Sequence, residues 1–220
     1  MENEDKTVLE EIEQEKWYKG PIKYILAIFL IFLLILMIVP RYAVKLDPEP
    51  KKIPKLGEVL PLNINILNNS INSREDFLKL VQPNDPIIKQ VADKIATIAC
   101  DGQKICQAKA VFYFVRDNFD YISDPNSYEY VKSARESLAS GGGDCDDASV
   151  LLANLEEAIG IKTRFVFIPG HVYIQIWFPK ALSRYKTEDD WITVDPTCKN
   201  CGFGEIIIQN LGKEKSYLGG

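Results

Sequence analysis

Gly141-Gly142-Gly143-Asp144-Cys145-Asp146-Asp147-Ala148 is the stretch on which the fold turns. Three glycines end what precedes them, and Asp144 then stands where a helix N-cap belongs. Asp146 and Asp147 fall in the first helical turn, against the positive end of the dipole. Val150, Leu151, Leu152, Leu155 and Ile159 follow at helical spacing, with Gly160 at the C′ position. The pattern predicts a well-buried helix over 145–159 with a cysteine on its first turn.

Working outward, the period switches from helix to strand after Gly160. TRFVFI at 163–168, a Pro169-Gly170 turn and HVYIQIWF at 171–178 read as two strands of a hairpin. Trp191-Ile192-Thr193-Val194-Asp195 reads as a third strand, stopped by Pro196. Upstream, Asp85-Pro86 opens a helix whose Ile87, Ile88, Val91, Ile95 and Ile98 recur at helical spacing. A second helix covers 103–118, with Ile105, Ala108, Val111, Phe112 and Val115 on one face. Phe119 to Ile122 is a short strand before a turn at Asp124-Pro125, and 134–139 is a helical turn. Helices first and strands later specify an α+β domain with an antiparallel sheet.

Three residues stand at the boundaries of these elements. Cys145 opens a helix, His171 opens a strand, and Asp195 ends the next one. A cysteine nucleophile is activated by a helix N-terminus and an imidazole partner, and the imidazole needs a third group to fix its tautomer. His171 is the single histidine of the chain, which makes its place on a Pro-Gly-His strand start significant.

The GGGDCDDA block, the following LLANLEEAIGIKTRFVF, Gly170-His171-Val172-Tyr173 and Trp191 to Thr197 together resemble the transglutaminase-like domain of the papain-like cysteine enzymes. The resemblance spans residues 84–200. It implies helices packed on an antiparallel sheet and amide chemistry through a thioester, with no cofactor. Cys145 would be the nucleophile, His171 the base and Asp195 the orienting acid. A peptide or protein amide is the implied substrate, and peptidase or amidase activity is expected over cross-linking. The alternative is an inactive module of the same fold that binds or scaffolds.

The oxyanion hole departs from the papain pattern. The backbone N–H of Cys145 is the natural first donor. No glutamine occurs between Gln107 and Cys145, where Leu138 and Ala139 stand instead, so Tyr121 is the choice for the second donor. Asp144 supports the site as the cap. Tyr173, Trp177 and Trp191 read as core, with a substrate-lining role open to Tyr173.

The other four cysteines, Cys100, Cys106, Cys198 and Cys201, form two close pairs. Two local disulfides are the favoured reading, and a structural zinc site is the alternative. Either would brace the domain near Asp195.

One compositional break lies near the N-terminus. IKYILAIFLIFLLILMIV at 22–39 is apolar all round, and 18 residues at ~1.5 Å each span roughly 27 Å, close to a bilayer core. A signal peptide would need a basic leader and a small-residue cleavage site. Here the leader is acidic, and Val39-Pro40-Arg41 follows the run. The expectation is one membrane helix over 22–40 and a single-pass membrane protein held to the lipid bilayer by that helix. The basic residues after it favour a cytoplasmic domain, whereas the paired cysteines favour an oxidising compartment. The domain is expected outside the cytoplasm, with cell-envelope substrates.

The remaining divisions follow from composition. Residues 1–21 are an acidic tail, 41–83 a Pro/Asn-rich spacer with a glycosylation sequon at Asn68-Asn69-Ser70, 84–210 the domain, and 211–220 a C-terminal tail. The 183–190 segment reads as a solvated hairpin loop. With 26 Lys+Arg against 31 Asp+Glu and a net charge of −5, the chain has no basic stripe and is not a nucleic-acid binder.

Overall fold

The computed structural model describes residues 20–66, 74–124 and 130–220. Most of the acidic tail, the sequon and Pro125 lie outside the described residues. The chain divides into two units, 1–46 and 47–220. The first holds α1 (Ile22–Leu46), which runs through Pro40. Its 21-residue stretch Ile22–Tyr42 is long and apolar enough to cross a membrane, and none of it is buried in protein.

The second unit is built from short helices and two sheets. After α2 (Leu56–Val59) and α3 (Phe77–Leu80) come α4 (Pro86–Ala99) and α5 (Lys104–Asn118). Asp85 caps α4 as its sequence demands: one carboxylate oxygen accepts from the N–H groups of Ile87 and Ile88 at 2.9 and 3.2 Å. The other is held by Arg135 at 2.5 Å. The chain then passes β1 (Asp120–Tyr121), α6 (Ala134–Ser140) and β2 (Gly142–Gly143) into α7 (Cys145–Ala158).

Strands β3 (Thr163–Ile168), β4 (His171–Trp177), β5 (Lys186–Glu188), β6 (Trp191–Val194) and β7 (Ser216–Gly219) form one antiparallel sheet. The strand order is β5-β6-β4-β3-β7. Ile168 pairs directly with His171, so the β3–β4 hairpin has a two-residue turn. Gly170 supplies the positive φ of 74° that this turn requires. Helices α4, α5 and α7 bury Val91, Ile95, Phe112, Leu151 and Leu155 against Phe165, Ile174 and Ile192 of the sheet. Each such side chain contributes about 2 kcal/mol by leaving water.

Three expectations change. Segment 183–190 is not all loop, because Lys186 pairs with Ile192 and Glu188 with Trp191. Residues 211–220 are not merely a tail, because β7 pairs with β3 from Arg164↔Gly219 to Phe167↔Ser216. The expected spacer is docked along residues 47–59. Asp47 and Glu49 hold the fully buried Lys109, Lys51 N–H donates to Ala99 O, and the Asn118 side chain bridges Pro54 O and Leu56 N–H. Prolines suit this path because an extended chain held by side chains has few backbone donors to satisfy.

Cys100 is bonded to Cys106 and Cys198 to Cys201. The four sulfurs are thus joined pairwise rather than gathered as one set of ligands. Cys145 is the free cysteine.

Candidate active site

The site begins with the parallel pairing of β1 and β2, Asp120↔Gly142 and Tyr121↔Gly143. It delivers the chain into the cap of α7. One Asp144 carboxylate oxygen accepts from Asp146 N–H at 3.0 Å and Asp147 N–H at 3.2 Å. The Asp147 carboxylate accepts in return from Asp144 N–H at 3.3 Å, completing a capping box. Gly143 is required here, since a Cβ on it would lie 2.2 Å from Asp147 Oδ2.

Cys145 sits half-buried on the first turn. Its thiol donates to Asp146 Oδ1 at 3.5 Å, and the backbone of Val172 lies near enough to favour the thiolate. One turn further along α7, Ser149 Oγ donates to Val172 O at 3.2 Å. The Val172 carbonyl therefore registers α7 against β4, and the residue before Val172 is His171.

On the sheet side, Ile174 pairs with Val194. Continued by one residue, this register sets Asp195 opposite Tyr173, diagonal to His171 on the same face. His171 Nε2 lies 2.8 Å from Asp195 Oδ2. Asp195 is buried, and its other oxygen accepts from Thr197 N–H at 3.0 Å and Thr197 Oγ at 2.7 Å. With Nε2 on the carboxylate, Nδ1 is the ring nitrogen turned away from Asp195.

The local field favours the neutral thiol. Burial, then the carboxylates of Asp146 and Asp144, push Cys145 up to about 12, opposed by the Val172 N–H. Asp144 is itself raised, by burial and by the charges of Asp147 and Asp124. Tyr121 is raised by burial and by Cys145, Asp144 and Asp146, which sets its phenol within reach of their charges. The donor atoms of Asp144, Cys145 and Asp146 lie within 4.8 Å of one another. One Asp144 oxygen of this group is committed to the cap.

The structure joins His171 to Asp195 and groups Cys145 with Asp144 and Asp146, with Tyr121 near enough to feel their charges and Val172, the residue after His171, tied to α7. It keeps the disulfide cysteines as a separate feature, with the second disulfide following Asp195 in the chain. Tyr173 is 1 % exposed and packs with Val166 and Ile168, so it is core. Sequence reading missed Val172, Thr197 and Lys132. Val172 acts through its backbone and leaves no signature. Thr197 had one, because an Asp with Thr two residues on is a local hydrogen-bonding motif.

Residues 89–196 match the family model described as Transglutaminase-like superfamily. Among solved structures, the chain is similar to a candidate cysteine protease from Cytophaga hutchinsonii, at 18% identity and a TM-score of 0.40. That match covers 56% of this chain and 42% of the other, so the chain spans less than half of that protein. LapG of Legionella pneumophila matches at 19% identity, covering 61% of this chain and 78% of LapG, with a TM-score of 0.38. Its calcium-bound form matches at 17% identity, covering 66% and 82%, with a TM-score of 0.40. No curated protein sequence matches the chain.

Proposed function

We propose that this chain, whose residues 89–196 form a transglutaminase-like domain, is a cysteine peptidase or amidase held at a membrane. The observation that carries the reading is the 2.8 Å contact of His171 with Asp195, with the neighbouring residue Val172 tied to the Cys145 helix through Ser149 Oγ. In this reading the resting sulfur is a neutral thiol. Its proton passes to His171 Nδ1 as the sulfur attacks the substrate carbonyl. Asp195 then faces an imidazolium, and the carboxylates that disfavour a thiolate favour that cation.

The tetrahedral oxyanion takes the Cys145 N–H, a first-turn donor with no partner inside the helix, and the Tyr121 hydroxyl. The C–N bond breaks as His171 returns the proton to the amine, leaving a thioester. Water, deprotonated by His171, attacks that thioester, the acid leaves, and the sulfur regains its proton. No step draws on a cofactor.

The apolar helix Ile22–Tyr42 supports an anchor, and the two disulfides support a domain outside the cytoplasm acting on envelope peptides. Alkaline carbonate extraction followed by intact-mass measurement tests the anchor, which requires a membrane-retained chain that still contains 22–42. The enzyme reading is tested by turnover of a fluorogenic peptide library with the full chain in detergent. Cys145→Ser and His171→Ala should each lower turnover by roughly a thousandfold or more with unchanged melting. Equal turnover would sink the assignment. The raised Cys145 thiol favours one other reading, a binding module of the same fold. That module would leave every library peptide intact.

A further inference from the structure

Lys132 has no part in the triad, yet it is the counter-ion of the acids around the thiol. Its backbone N–H donates to Asp147 Oδ1 at 2.7 Å and its ammonium to Oδ2 at 2.5 Å. One residue therefore engages both oxygens of a carboxylate that is fully buried, two residues beyond Cys145. The ammonium is also attracted by Asp124 and Asp144. On α7, Asp144 and Asp146 act on the thiol directly, while Asp147, two residues on, turns its carboxylate to the Asp144 N–H and to Lys132. From β1 and the turn after it come Tyr121 and Asp124, and from the sheet His171 and Asp195. Among the groups named here, Lys132 is the one permanent cation.

We propose that Lys132 is a positioning residue for the nucleophile: its ammonium cancels the Asp147 charge beside Cys145, and its N–H ties residues 130–133 to the first turn of α7. The inference rests on Cys145 being the nucleophile. Without the ammonium, the Asp147 charge adds to those of Asp144 and Asp146 and holds the proton on sulfur. With Asp147 made neutral instead, the ammonium stands uncompensated and draws the proton off. The two changes act on the thiol in opposite directions. Simple loosening of a packed contact would move both the same way.

The test is the rate of iodoacetamide alkylation of Cys145 at pH 8, read by peptide mass in the full chain in detergent. Lys132→Met should react roughly tenfold more slowly, the equivalent of about one pKa unit. Lys132→Arg should stay near the parent, and Asp147→Asn should react several-fold faster. Rates that move in the same direction in Lys132→Met and Asp147→Asn would overturn the proposal, as would an unchanged rate in Lys132→Met. If Lys132→Met loses its melting transition, Asp147→Asn decides alone, and a rate equal to or below the parent's refutes the proposal. Failure of the nucleophile reading shows separately, as a parent rate indifferent to His171→Ala while the Lys132 and Asp147 variants still diverge.

Discussion

His171 Nε2 lies 2.8 Å from Asp195 Oδ2, across the ends of the neighbouring strands β4 and β6. Thr197 occupies the other Asp195 oxygen, so the carboxylate has one orientation and presents Oδ2 to the imidazole. Asp195→Asn keeps the shape but offers an N–H where an acceptor is needed. Turnover of the best library peptide should fall about a hundredfold or more, with the melting temperature within a few degrees of the parent.

Glu156 lies fully buried in α7, and neither carboxylate oxygen has a hydrogen-bond partner. Burial pushes its carboxyl well above the ordinary 4.5, opposed by Lys104. The folded protein keeps this proton where the unfolded chain has lost it. The stability it contributes is therefore full below about pH 4.5 and declines as pH rises toward the folded value. Glu156→Gln, neutral at every pH, should melt higher than the parent at pH 8 and alike at pH 4. Each kcal/mol recovered corresponds to roughly 2–4 °C. Equal melting at pH 8 would show the buried acid to be without cost.

Lys109 is fully buried, and its ammonium is held by Asp47 and Glu49. Burial would raise the Asp47 carboxyl, but hydrogen bonds from Lys109 and Tyr185 and the charge of Arg184 hold it below the usual range. Its stabilisation is thus present above the ordinary carboxylate value and is lost as pH falls through the lowered one. Lys109→Met should cost about 1–3 kcal/mol, because Asp47 loses its buried cation and keeps Arg184 and Tyr185. Adding Asp47→Leu should restore part of that loss, which denaturant melts of the single and double variants would measure.

Much of this was legible from residues alone. The Asp85 and Asp144 caps, the helical spacing of α4 and α7, and the β3–β4 hairpin are local, so their signals lie within a few residues. The three candidate site residues stood out because each lies where an element starts or stops. What escaped depends on distant partners. Lys186-Thr187-Glu188 carries no apolar alternation, and β7 earns its strand only by meeting β3. A lysine buried at 109 or half-buried at 132 looks like any other until its carboxylate arrives from elsewhere in the chain.

Gly143→Ala tests the cap geometry. Its methyl group would lie 2.2 Å from Asp147 Oδ2, displacing the carboxylate from Asp144 N–H and from Lys132. The expected destabilisation is about 1–3 kcal/mol, with slower alkylation of Cys145. Parent-like stability and reactivity would mean that the capping box is not what holds the nucleophile.

The central claim is that His171 takes the proton of Cys145. With the other four cysteines in disulfides, iodoacetamide at pH 7.5 reads this one thiol by peptide mass mapping. The account predicts that His171→Ala slows alkylation at least about tenfold while the chain still melts as a folded protein. An identical rate in the two proteins would contradict it.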